Sequence, residues 1–250
     1  MVGLKRRILD GILGALDYQA VAGWEADHWA ERRFVQKLFH HLRPDCVFDV
    51  GANNGQYGSQ LRELGFTGTI ISFEPVPTTF ANLQKRAASD SNWHVLPFAL
   101  GATEGTAAIN VMAKSEFSSF HSPKSDDVSR FEGSNTVIST VEVAVHTLHG
   151  LMDQLISEHG FSRPFLKLDT QGFDLQVFIG AGERARQFVG MLSEIAVRTI
   201  YHGAPLLTES LDAYRAGGFE LAALHAVNPA DFGRLVEFNA YFIREDLLPA

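Results

Sequence analysis

"VFDVGANNGQYG", residues 47 to 58, decides how the rest of the chain is read. An apolar strand runs into Asp49 and then breaks into Gly51, Asn53 and Gly55. In an open α/β sheet, ligands sit outside the carboxyl ends of the strands, near the point where strand order reverses. Gly51 and Gly55 allow close approach of backbone to a ligand and unusual dihedral angles. The Asp49 carboxylate can accept a hydrogen bond from a cationic or amide donor.

A second anchor follows at the spacing of one βαβ unit. "TIISFE", 69 to 74, ends on Glu74, and Pro75 turns the chain away. A carboxylate there suits two ribose hydroxyls, because its two oxygens match a diol. Two nucleotide-like cofactors fit. A dinucleotide site wants G-x-G-x-x-G with pyrophosphate on a helix N-terminus, and G-A-N-N-G-Q-Y-G lacks the second glycine. An acid ahead of the first glycine repels a diphosphate but welcomes the ammonium group of S-adenosylmethionine. Electrostatics therefore favours the sulfonium cofactor over NAD. Asp49, Gly51, Ala52, Asn53, Gly55, Gln56 and Tyr57 are expected around its methionine part, with Glu74 on the ribose. Pro75 and Val76 are expected to flank the adenine, with Ala99 and Leu100 offering apolar contact and backbone hydrogen bonds.

The chain has 250 residues, 46% apolar and 20% charged, which suits one large α/β domain. Its net charge of -8 argues against a broad nucleic-acid surface. No apolar run approaches the roughly 20 residues that cross a bilayer. Residues 1 to 44 form an N-terminal helical segment and 45 to 250 the main domain. Leu4, Ile8, Ile12 and Leu16 repeat every four residues after a basic cluster, the mark of an amphipathic helix. Such a helix docks on the domain or on a second copy, and leaves room for contact with a membrane surface. Cys46 is the only cysteine, so no disulfide forms within the chain and a reducing cytoplasm is the expected setting. Within an apolar strand, Cys46 reads as a small core residue.

Along the chain, a helix covers 24 to 42, with Trp29, Phe34, Leu38 and Leu42 on one face. Strands are expected at 46 to 50, at 69 to 74, in "WHVLPFAL" with a break at Pro97, in "PFLKLD", and in "GMLSEIAVRTI". Helices alternate with them, Gly65 stopping the first. "GTAAINVMA" pairs with "VISTVEVAVHTL", and "FELAALHAV" with "RLVEFNAYFIRE". This pattern calls for a Rossmann-like, seven-stranded, mostly parallel sheet with helices on both faces and an antiparallel edge strand. Residues 114 to 136 are polar and Ser-rich, with Phe117, Phe120 and Phe131 spaced through them. A loop of that length in a compact domain reads as a lid or substrate loop.

"VFDVGANNGQYG", "ISFEPVPTTFANLQK", "ALGATEGTAAINV", "VHTLHGLM" and "LKLDTQGFDLQVFIGA" together resemble the successive motifs of FkbM-type S-adenosylmethionine-dependent methyltransferases. The resemblance spans roughly residues 45 to 245. It implies a class I methyltransferase fold and O-methylation of a hydroxyl on a sugar, secondary metabolite or glycolipid. The chain departs from the family at Leu148-His149, where Leu-Asp is common. It departs again at Asp169-Thr170-Gln171-Gly172, where Asp-Val-Glu-Gly is common.

Methyl transfer to an alcohol gains from a base that takes its proton. Asp169, at the exit of "FLKLD", is the best placed candidate. Lys167, unusual in a central strand, is expected to pair with Glu194. His146, His202 and His121 are rival bases. Phe117, Ser118, Ser119, Phe120 and His121 are candidates for holding a small-molecule hydroxyl acceptor. No compact metal-ligand spacing is present, so no metal is expected. The competing readings are an NAD-dependent oxidoreductase and a catalytically degenerate binding module. A homo-oligomer is compatible with all three.

Overall fold

Two fully buried strands explain why the sequence around Asp49 looks so apolar. β1 (Cys46–Val50) and β7 (Pro164–Leu168) have no exposed residue, as expected where helices cover both faces of a parallel sheet. A computed structural model of the chain describes residues 26–124, 136–198, 200–227 and 235–248. The chain divides into two compact units, Met1–Leu38 and Phe39–Ala250.

α1 (Ala26–Leu42) crosses that division. Its buried residues are Val35, Leu38 and Leu42, whereas Trp29 and Phe34 are half-buried. The buried stripe thus follows i, i+3, i+7 spacing from Val35. The expected amphipathic helix over Leu4 to Leu16 lies outside the described residues.

In the larger unit, β1 leads to α2 (Gln56–Glu63), β2 (Thr69–Phe73), α3 (Pro77–Ala87) and β3 (Trp93–Leu96). β4 (Ala99–Leu100), β5 (Gly105–Met112) and β6 (Val137–His146) follow, then α4 (Leu148–His159) and β7. α5 (Asp174–Ala181), β8 (Gly190–Ala196), α6 (Leu207–Ala216), β9 (Phe219–Ala226) and β10 (Glu237–Arg244) complete the order. The main sheet runs β3-β2-β1-β7-β8-β10-β9. β10 is antiparallel to both neighbours, one place in from that margin of the sheet. The remaining pairs are parallel. Strand order reverses between β1 and β7, which is where such a sheet opens a crevice.

Pro97 parts "WHVLPFAL" more thoroughly than a kink. β3 stays in the main sheet, while β4 enters a second, three-stranded sheet of order β4-β6-β5. β5 and β6 pair antiparallel, as their sequences suggest. Gly65 stops α2 with φ 89°, the left-handed geometry expected of it.

The core is aromatic. Phe48 stacks on Phe73 at 5.8 Å and meets Phe161 and Phe188 edge-on at 5.4 and 5.3 Å. Such pairs favour offset and T-shaped contact through the ring quadrupole. Leu100 belongs to this core at 1% exposure.

Candidate active site

The crevice begins with a backbone contact. Gly51 has φ 71°, and a Cβ there would stand 2.0 Å from the Asp169 carbonyl oxygen. Its close approach is therefore to the neighbouring strand exit. Gly55, at φ 82°, backs onto Leu83, Arg86 and Trp93. Gly58 lies under the Trp93 indole, only 2.3 Å from where a Cβ would be. Glycine at these positions lets the turn after β1 and the start of α2 pack against the exit of β7, α3 and β3.

Asp49 and Lys167 stand side by side in the β1–β7 register. The lysine Nζ is 2.9 Å from Asp49 Oδ1 and 3.6 Å from Asp169 Oδ2. It also donates to the carbonyls of Gly51 at 3.0 Å and Val50 at 3.3 Å. Burial disfavours the ammonium, but the Asp49 and Asp169 carboxylates outweigh it and raise the lysine pKa. Asp49 is fully buried and accepts a further bond from Ser72 Oγ at 3.1 Å. An internal ammonium thus occupies the carboxylate expected to meet a ligand cation. The partner expected for Lys167, Glu194, is replaced by these two aspartates. In register, Lys167 faces Leu192, and Glu194 lies two residues further along β8.

Glu194 instead accepts from Gln171 Nε2 at 2.7 Å, and the same amide reaches Asp169 Oδ1 at 3.1 Å. Burial, with Asp169, Glu237 and Asp174 nearby, holds the Glu194 carboxyl well above the usual carboxylate range. Asp169 keeps 41% of its side chain exposed. Asp174 is buried at the start of α5 and ties the turn together. Its oxygens accept from Thr170 N and Oγ1 at 2.7 and 2.6 Å, from Ser193 Oγ at 2.8 Å and from Glu194 N at 3.1 Å.

Glu74 closes β2 and is 6% exposed. Its two oxygens accept from Asn53 N and Val76 N, each at 2.9 Å. Burial pushes this carboxyl up to about 7, against the pull of those two amides. Each oxygen retains a lone pair suited to a diol. Beside it, Val76, Ala99, Ile109, Val143 and Val145 form an apolar cluster on which Phe120 packs. A buried carboxylate beside an apolar wall fits a nucleoside without phosphates. The Leu100 side chain belongs to the main core, whereas that of Ala99 belongs to the wall. Ala52 is buried, Pro75 half-buried, and Gln56 exposed at the start of α2. The Tyr57 ring lies 5.7 Å from Lys167 Nζ.

The first part of the long loop is laid over these turns. A 3-10 turn, Ser115–Phe117, brings Ser115 Oγ to Asn53 Oδ1 at 3.1 Å. Ser119, 1% exposed, donates to the Gln171 carbonyl at 2.7 Å. Ser118 Oγ accepts from Met112 N at 3.2 Å. Phe117 packs against Met112, Ile200, Tyr201 and Val236, and its carbonyl lies 2.8 Å from the Tyr201 hydroxyl. The His121 ring lies within 4 Å of where a Cβ would stand at Gly172 and at Gly203, and burial lowers its pKa. Phe131 lies outside the described residues.

Two expected bases stand apart. His146 binds Glu104 at 2.9 Å and packs on Phe98, at the end of the second sheet. His202 is exposed and touches the loop through its backbone N–H, which donates to Ser122. Asp174, Ser72, Gln171 and Tyr201 escaped sequence reasoning as site residues. Asp174 carried a local signal, an acid in the first turn of a helix, and Gln171 stood out as a departure from the family pattern. Among the described residues, no group of three or more His, Cys, Asp or Glu is arranged to hold a metal ion.

The profile of the Methyltransferase FkbM domain matches residues 49–221. No curated protein matches the sequence. Among solved structures, fibrillarin of Aeropyrum pernix with bound S-adenosyl-L-methionine is 15% identical, with a TM-score of 0.44. The alignment covers 80% of this chain and 66% of that one. Magnesium protoporphyrin IX methyltransferase of Synechocystis PCC 6803 is 11% identical, with a TM-score of 0.42 and coverage of 90% and 86%. An rRNA methylase of Streptococcus thermophilus is 12% identical, with a TM-score of 0.44 and coverage of 85% and 96%.

Proposed function

Because the chain belongs to the FkbM methyltransferase family, has the class I methyltransferase fold and takes its methyl group from S-adenosylmethionine, we propose that it O-methylates a hydroxyl of a small molecule, a sugar or secondary metabolite. Family membership displaces the dehydrogenase alternative. The observation that carries the acceptor reading is Asp169, a partly exposed carboxylate at the strand-order reversal among buried charged neighbours.

Bound S-adenosylmethionine supplies an electrophilic methyl group with a good leaving group. Glu74 holds the ribose diol, and Val76, Ala99 and Phe120 cover the adenine. Asp169 orients the acceptor hydroxyl and takes its proton as the new bond forms. Lys167 pairs with that carboxylate and donates to the carbonyls of Val50 and Gly51. The loop segment 115–124 excludes water and supplies acceptor contacts.

We assign the activity to residues 45–250, with 1–44 as a separate N-terminal segment, and to the reducing cytoplasm. Buried Cys46, whose thiol pKa is raised by burial, suits that setting. Among the described residues, no helix is long and apolar enough to cross a membrane.

The test is calorimetry with S-adenosylhomocysteine, followed by transfer of labelled methyl to a panel of sugars, polyketides and glycolipids. Asp169→Asn should lose about 100-fold or more in turnover while binding S-adenosylhomocysteine as wild type does. Unchanged turnover in that variant removes Asp169 as the base. Binding without transfer to any hydroxyl in the panel favours a degenerate module.

A further inference from the structure

Gln171 links both acids of the crevice to the overlying loop segment through four directed contacts. It is one of three described non-glycine residues with positive φ, at 53°. Backbone held in that region persists where surrounding contacts over-determine it. Here there are four. The amide nitrogen gives its two hydrogens to Asp169 and Glu194. The amide oxygen lies 3.0 Å from the Tyr201 hydroxyl, and the main-chain carbonyl accepts from Ser119. In this amide orientation both N–H groups face carboxylate oxygens and the oxygen faces the Tyr201 hydroxyl.

Tyr201 and Ser119 carry the connection outward. The Tyr201 hydroxyl also lies against the Phe117 carbonyl, and Ser119 exchanges backbone hydrogen bonds with Asn110. Ser115, two residues before Phe117, reaches Asn53 in the loop after β1. One residue therefore touches two acids of the crevice and both anchors of the segment bridging the turns after β1 and β7.

We infer that Gln171 is a positioning residue: its amide sets the carboxylates of Asp169 and Glu194 and joins them, through Tyr201 and Ser119, to the overlying loop segment. The inference deepens the proposed function and rests on its reading of Asp169. A glutamate here would present a third carboxylate to the other two, which the amide avoids.

A double-mutant cycle tests this on the full chain, with S-adenosylhomocysteine as the bound probe. The variants are Gln171→Met, Tyr201→Phe and the pair. The primary readout is the titration midpoint of Glu194, followed by carbon-13 NMR of labelled side-chain carboxyls and assigned with Glu194→Gln. The charged groups facing Glu194 are Asp169, Asp174 and Glu237, which raise its midpoint, and Lys167, which lowers it. Losing the amide donor destabilises the anion, so Gln171→Met should raise the midpoint by roughly one unit. Tyr201→Phe should raise it less, and the double variant should match Gln171→Met alone. The acid limb of the methyl-transfer pH profile should move in the same direction. An unmoved midpoint in Tyr201→Phe, or simple addition in the pair, overturns the inference. If Gln171→Met does not fold, Tyr201→Phe decides by the same midpoint. Asp169→Asn is scored separately: full turnover there rejects the proposed base, whereas its loss beside an unmoved Glu194 rejects only the role of Gln171.

Discussion

Lys167 Nζ lies 2.9 Å from Asp49 Oδ1, across the parallel register that sets the two residues side by side in the middle of the sheet. Both side chains are buried, and neither charge has water to fall back on. Removing one partner strands the other, which is far more destabilising than replacing both.

Lys167→Met should therefore destabilise the fold by about 3–5 kcal/mol, seen as a lower urea midpoint with an unchanged slope. Lys167→Met with Asp49→Leu should recover much of that loss. Equal destabilisation in the single and double variants would show that the pair is not what the lysine is for.

Glu74 gives the apo protein a pH dependence of definite sign. Its folded pKa, about 7, lies above the ordinary glutamate value of 4.5. Between those values the folded chain binds the extra proton, so this residue's contribution to stability falls as pH rises through that window. The total change is on the order of 3 kcal/mol, and Glu74→Gln should flatten it in thermal melts across pH. A ribose diol donates to the ionised form. S-adenosylhomocysteine should therefore bind more tightly above pH 7 and release a proton on binding, measurable by calorimetry in buffers of different ionisation enthalpy.

Gly51 and Gly65 share a positive φ and differ in surroundings. Nothing lies within 4 Å of a Cβ at Gly65, whereas Gly51 would collide with the Asp169 carbonyl. Gly65→Ala should cost about 1 kcal/mol. Gly51→Ala forces backbone apart and should cost 3 kcal/mol or more, on the order of a severe core lesion, with loss of S-adenosylhomocysteine binding. Chemical denaturation of the two variants side by side checks the contrast.

Phe120 separates two roles for the long loop. It packs with Val76 and Ala99, so Phe120→Ala should weaken S-adenosylhomocysteine by about tenfold, roughly 1.4 kcal/mol. A phenylalanine serving only the acceptor would leave that affinity as in wild type and change the Michaelis constant of the acceptor instead.

The glycine turn, Glu74-Pro75 and the alternation of elements were legible in the sequence because each is local chemistry. Gly65 stops a helix and Pro97 ends a strand wherever they stand. The pairing of Lys167 was not legible. Asp49 and Lys167 lie 118 positions apart by number and meet only because β7 is laid beside β1 on the side away from β2. The same holds for Gly58, whose small size is set by Trp93 on another strand. Phe120 read as an acceptor contact because it sits in a polar loop, yet its ring returns to the apolar wall.

Pro97 sends one stretch of chain into two sheets, and this has a mechanical outcome. The hairpin of β5 and β6 supplies the wall through Ile109, Val143 and Val145 and also carries the bridging segment at its far end. Wall and bridge are thus successive parts of one strand pair and its connection. Under the proposed function, substitutions in the bridging segment would alter acceptor contacts and leave the apolar wall beside Glu74 intact.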